Sequence, residues 1–213
     1  MGNIDIVGII LRFALLIPAI VFHEVAHGYA ALALGDTTAK DQGRLSLNPI
    51  AHIDPWGTIL LPLLMTAMFG AGFGYAKPVP VNPYRFRGDR RVGMFLTGIA
   101  GPTANLVMAT IAGIIVRILG VDNIIGTGAY LFALVNLVLL FFNLIPLPPL
   151  DGSRVLPLIL PQSAMNAYHQ WERYGFIILI AILWIVPAVF HFDPFTAYFK
   201  ATVFPILTLL TGV

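Results

Sequence analysis

The residues best able to do chemistry in this sequence are His23-Glu24-Val25-Ala26-His27. On an α-helix, positions four apart project from one face, so both imidazoles can reach a single tetrahedral Zn²⁺. Glu24 stands beside them, where it can take a proton from an activated water. The setting gives the motif its weight. It lies inside residues 6–34, an apolar run long enough to cross a bilayer. An ionisable side chain at the centre of such a helix costs about 2.5–3.5 kcal/mol on insertion scales. Three in five residues therefore need a compensating purpose, and metal coordination supplies one.

A catalytic zinc takes three protein ligands and keeps one position open. The chain has no cysteine, so the third ligand must come from a histidine or a carboxylate. His52 sits in a polar loop, His169 lies beside Trp171 and Glu172, and His191 falls at a helix end. Each reads better as a surface or interfacial residue. Asp151 is the stronger candidate because it directly follows an apolar run, after Pro146, Pro148 and Pro149. Prolines forbid a continuing helix, so the chain can fold back. His27 precedes Leu34 by seven residues, which is roughly 10 Å of helix, a depth such a fold-back can reach. An ordinary turn at Asp151-Gly152 would account for the same residues. A different membrane zinc protease would take a glutamate from a later helix, but the other glutamate, Glu172, lies in a polar segment. A zinc transporter or silent zinc-binding protein would stagger its histidines and aspartates along a path, whereas here they gather at one depth.

The elements that must position these groups are membrane helices. Of 213 residues, 58% are hydrophobic and 10% charged, against roughly 25% charged in a soluble domain. Lipid must be much of the solvent, and the expected fold is all-α and polytopic. Residues 6–34, 93–119 and 128–145 read as spans, 176–190 as a fourth apolar run and 195–210 as a fifth. The first run lacks the basic leader and small-residue cleavage site of a signal peptide, and it contains Arg12, so it is expected to remain in the mature protein. No internal repeat or second domain is visible, which predicts a single membrane-embedded domain over residues 1–213. A net charge of +2 gives no reason to expect a nucleic-acid partner.

Residues 56–69 are apolar but short for a span, and Pro62 interrupts them. If they dip in and return, Lys40, Arg44, Lys77, Arg85, Arg87, Arg90, Arg91, Arg154 and Arg173 share one side. That is the asymmetry expected of a cytoplasmic face, with the N-terminus outside, and the re-entrant reading is preferred. Residues 70–83, rich in Gly and Pro, read first as a connecting loop. The alternation of Gly70, Gly72 and Gly74 with Ala71, Phe73 and Tyr75 would also suit an extended edge able to hold a substrate by its main chain.

His23-Glu24-x-x-His27 on a spanning helix, Gly101-Pro102-x-x-Asn105 in the next, and Asn143-x-x-Pro146 leading to Asp151-Gly152 after the third together resemble the site-2 protease family. The resemblance covers residues 23–152 through three ordered motifs. It implies a three-helix catalytic core, one zinc held by His23, His27 and Asp151, and Glu24 as general base. It also implies cleavage of a peptide bond in a single spanning helix of a membrane-protein substrate, that is, regulated intramembrane proteolysis. The active site would face the cytoplasmic side of the cell membrane. Asn105 and Asn143 match motif positions, which suggests substrate positioning or oxyanion stabilisation, although an Asn in a spanning helix can simply tie helices together, as expected of Asn136. The length of the run 1–213 leads one to expect a compact form without a PDZ or other regulatory domain.

Overall fold

A computed structural model describes residues 6–64 and 74–213, and among these no strand occurs. The long elements are α1 (Ile6–Ala33), α2 (Arg90–Leu119), α3 (Ile124–Asn143), α4 (Gly175–Phe190) and α5 (Pro194–Thr211). α1 from Ala14, α2 and α3 are each long and apolar enough to cross a membrane. The chain is thus an all-α polytopic membrane protein with three core spans.

Local chemistry sets the helix ends. Asp89, Asn123 and Asp193 each accept from the first unpaired backbone N–H groups of α2, α3 and α5. These caps start α2 at residue 90 and α3 at residue 124, a few positions earlier than hydropathy alone suggests. At the end of α1, Gly35 takes φ +103° and the Asp36 N–H bonds back to the Ala31 carbonyl, the left-handed stop that glycine permits.

α1 and α2 run antiparallel, with His27 level with Thr97 and Ala19 level with Asn105. α3 returns along α2, and α5 packs against both. The Tyr198 hydroxyl donates to the Phe141 carbonyl at one end of α5, and Arg117 donates to the Leu209 and Leu210 carbonyls at the other. The last helix therefore runs lengthwise beside α2 and α3. Between these three helices lies an apolar core of Ala109, Ala112, Ala133, Leu137, Val203 and Leu207. Alanines at the crossings let the backbones approach, the packing that serves where lipid removes the hydrophobic drive.

Two stretches depart from this bundle. Residues Pro55–Leu60 form a wide helical turn capped by Asp54. The Tyr75 N–H then bonds to the Gly57 carbonyl, and the Thr58 hydroxyl donates to the Tyr75 carbonyl, both at 3.0 Å. Gly57 and Tyr75 therefore lie side by side, and residues 65–69 of the apolar segment expected to dip and return lie outside the described residues. Residues 70–73 of the Gly-rich stretch lie outside the described residues. The second departure follows α3. There the chain breaks at residues 144–150 and resumes as a short helical turn, Asp151–Val155. Farther on, Gln162–Glu172 and Gly175–Phe190 pass as a span only when taken together, bent by 60°. His191, at φ +50°, turns the chain into α5.

Candidate active site

α1 and α2 build the centre of the site by facing each other across small residues. Gly101 on α2 leaves no side chain where one would collide with both imidazoles: an added Cβ would lie 2.4 Å from His27 Nε2 and 2.6 Å from His23 Nε2. One turn earlier, an added Cβ at Gly98 would meet the Arg154 side chain and the Asp151 carbonyl. The same flat face thus admits the histidines from one side and the folded-back turn from the other.

The fold-back brings Asp151 to the histidines. Its Oδ2 lies 3.0 Å from His23 Nε2 and 3.1 Å from His27 Nε2, and the two Nε2 atoms are 3.0 Å apart. All three residues are buried. Each imidazole is fixed through its other nitrogen. His27 Nδ1 meets the Thr97 carbonyl at 2.6 Å, and His23 Nδ1 meets Asn105 Oδ1 at the same distance. A carbonyl can only accept, so both Nδ1 atoms carry a proton, and in the neutral imidazoles the Nε2 lone pairs then face the carboxylate. Three electron-rich atoms in a triangle of this size repel one another unless a cation lies among them. Bonds of about 2.0–2.1 Å in a tetrahedron set ligand atoms about 3.4 Å apart, so a zinc ion fits after an opening of a few tenths of an ångström. Among the described residues, His23, His27 and Asp151 are the group of such side chains close enough to share one ion.

Glu24 points away from this triangle's supports and into the adjoining cleft. The Val79 N–H donates to its Oε2 at 2.9 Å. The cleft holds about 590 Å³ and is bounded by Glu24, Asn143 and Arg154 among apolar groups such as Phe142, Leu179 and Val79. Its Val79 wall is an extended strap held along one edge: Tyr75 and Lys77 give their N–H groups to the Gly57 and His52 carbonyls, and Arg44 bonds to the Lys77 carbonyl. Arg154 Nη2 stands 3.7 Å from Asp151 Oδ1, on the side away from the histidines.

The remaining sequence-based candidates fall into three groups. Asn143 lines the cleft, with its Nδ2 bonded to the Leu139 carbonyl. Asn105 does not. It is 0% exposed, and its Nδ2 donates to Ala19 O and Asn136 Oδ1 while its Oδ1 serves His23. Of the two readings open for Asn105, the structural one is favoured, because both ends of its amide are used inside the bundle. His52 is likewise buried rather than superficial, and its Nε2 bonds to the Ser46 carbonyl. His169 and Glu172 are exposed and paired with each other, which removes Glu172 as a third ligand. Val79, Thr97, Gly98 and Gly101 were not singled out individually as site residues from the sequence. Gly98 and Gly101 are spaced i, i+3 on one helix face, and that spacing was a usable signal. Thr97 and Val79 act through backbone atoms, and no residue type announces those.

Comparison with known proteins finds peptidase relatives. Peptidase family M50 matches residues 120–186. YwhC of Bacillus subtilis, named as a zinc metalloprotease, is 42% identical over 181 residues, covering 81% of this chain and 78% of its own length. Rip2 of Mycolicibacterium smegmatis, also named as a zinc metalloprotease, is 29% identical over 84% of this chain and 68% of its own. The zinc metalloprotease MJ0392 of Methanocaldococcus jannaschii is 30% identical over 71% of this chain, which is 34% of that longer protein. No solved structure matches the chain.

Proposed function

The chain belongs to peptidase family M50 and is a membrane-embedded zinc metalloprotease, and from that premise we propose that it cuts a peptide bond within a spanning helix of a membrane-protein substrate. His23, His27 and Asp151 hold the zinc, and Glu24 is the general base. The observation that carries this reading is the convergence of two Nε2 atoms and one carboxylate oxygen at 3.0–3.1 Å, beside a glutamate in an apolar cleft.

When bound, zinc supplies a Lewis acid that polarises the scissile carbonyl and lowers the pKa of water. The chain's own residues do the rest. Glu24, held by the Val79 N–H, accepts a proton from the attacking water and delivers it to the leaving amine as the C–N bond breaks. Asn143 offers an amide to the substrate main chain from the opposite wall. The apolar lining accepts substrate side chains and limits competing water. A substrate helix keeps its own carbonyls hydrogen-bonded, so it must unwind to present one, and Gly or Pro within it lowers that demand.

Most basic residues gather at the end of the bundle where α1 stops and α2 begins, whereas Arg12 lies near the start of α1, Arg117 donates to carbonyls at the opposite end, and Lys200 lies within α5. By the positive-inside rule this supports a site facing the cytoplasm, and cleavage there within a spanning helix of the cell membrane would serve regulated intramembrane proteolysis. The test is Glu24→Gln, assayed in detergent for zinc content and for cleavage of a panel of single-span helices. The variant should keep zinc and lose about 10²–10⁴-fold in kcat. Parental cleavage by the variant would overturn the mechanism.

A further inference from the structure

Behind His23 runs a chain of buried amides that ends on backbone carbonyls. The Phe132 carbonyl, which can only accept, receives Asn136 Nδ2 at 2.8 Å. That turns Asn136 Oδ1 toward Asn105, which donates to it through Nδ2 at 2.9 Å. The Ala19 carbonyl takes the other Nδ2 hydrogen at 3.2 Å. Asn105 is then left with only Oδ1 to show His23, at 2.6 Å. Both asparagines are 0% exposed, so no lipid or solvent group competes for them.

We propose that Asn136 is a positioning residue for the metal centre: through Asn105 it fixes which nitrogen of His23 keeps its proton, and so which one faces the metal. The proposal rests on His23 being a zinc ligand. An amide can turn over, exchanging its oxygen and nitrogen at little steric cost. If Asn105 turned over, its NH₂ would face His23 Nδ1, the proton would move to Nε2, and the lone pair would point away from Asp151. Asn136 opposes this because its own amide is oriented by a group that cannot donate. It acts at a distance, touching neither zinc nor substrate. A residue that merely ties α2 to α3 would not need this polarity.

Zinc affinity of the full chain in detergent, read by competition with a chromophoric chelator, tests the idea. His23→Ala should lose affinity; unchanged affinity there would overturn the ligand assignment itself. Asn136→Leu should weaken zinc binding about tenfold, the lower end of the range for outer partners, because Ala19 still restrains Asn105. In an Asn105→Leu background the same substitution should change nothing further. Asn136→Asp, protonated at this depth, accepts from Asn105 and donates to Phe132, so it should restore affinity to within about twofold. If Asn136→Leu fails to fold, Asn136→Met removes the same acceptor. Equal losses in both backgrounds would make Asn136 a general stabiliser and overturn the proposal. So would parental affinity in a folded Asn136→Leu chain whose His23→Ala counterpart has lost zinc.

Discussion

Two stretches fold inward from the same end of the bundle, and they serve the site in opposite ways. Residues 144–155 bring in a side chain: Asp151, 7% exposed, set among His23, His27 and Arg154. The strap at residues 74–79 brings in a backbone group: the Val79 N–H on Glu24, with side chains such as Tyr75 left 44% exposed. Delivery by side chain makes one residue type irreplaceable and writes it into the sequence. Delivery by backbone constrains the path of the chain and leaves the residue type almost open, proline excepted.

That contrast can be broken or sharpened by substitution. The largest effect is expected at Asp151→Ala, which removes one corner of the triangle and should weaken zinc binding by more than about 100-fold, beyond the 10–100-fold of an outer partner. Metal analysis after dialysis checks it, and retained affinity would erase the distinction between the two stretches. A smaller effect is expected at Val79→Pro. Pro78 and Pro80 already hold this stretch extended, so a third proline fits the backbone while deleting the N–H. A hydrogen bond to a charged group is worth about 1.5–3 kcal/mol, so kcat should fall about 10–100-fold with zinc retained. Val79→Ala should cleave almost as the parent does. If alanine and proline were equally damaging, the Val79 side chain rather than its N–H would be the working part.

The smallest effect concerns how the strap is anchored. The buried Asp36 carboxylate, just past α1, accepts from the Asn82 N–H at 2.6 Å and from the Thr38 N–H and hydroxyl. Burial alone would raise its pKa, but these bonds and nearby Arg85 prevail and hold it below the usual carboxylate range. Because the folded value is depressed, this anchor stabilises the fold above the unfolded pKa of about 3.9 and is lost as pH falls through the folded value. Asp36→Ala should therefore lower the thermal midpoint at pH 7, and the difference from the parent should shrink below about pH 4. A difference independent of pH would assign the loss to packing.

The sequence carried the parts of this architecture that depend on side-chain type. Long apolar runs located α1, α2, α3 and α5 to within a few residues, because lipid leaves a chain little choice but helix. The spacing of His23 and His27 revealed a shared face, and the prolines before Asp151 revealed where the helix must stop. Asn105 was noticed but left between two roles, since an amide reads alike whether it faces a cleft or supports a histidine. Asn136 was recognised as a tie between helices, but the direction of its amide depends on Phe132 and Ala19 carbonyls that belong to the fold. The Val79 contact was invisible for the same reason. Its donor is one that every residue except proline possesses.

His23 and Asp151 are 128 residues apart in the chain. At about 5–20 residues per second of synthesis, the carboxylate emerges roughly 6–26 s after the histidine. Through that interval a nascent chain carries two of the three proposed ligands in a helix that must already enter lipid. Thr97 and Asn105 on α2 arrive first and can cover the imidazoles before any third ligand exists. On the proposed ligand set, the zinc site stays incomplete until the third span has been made and its tail has folded back.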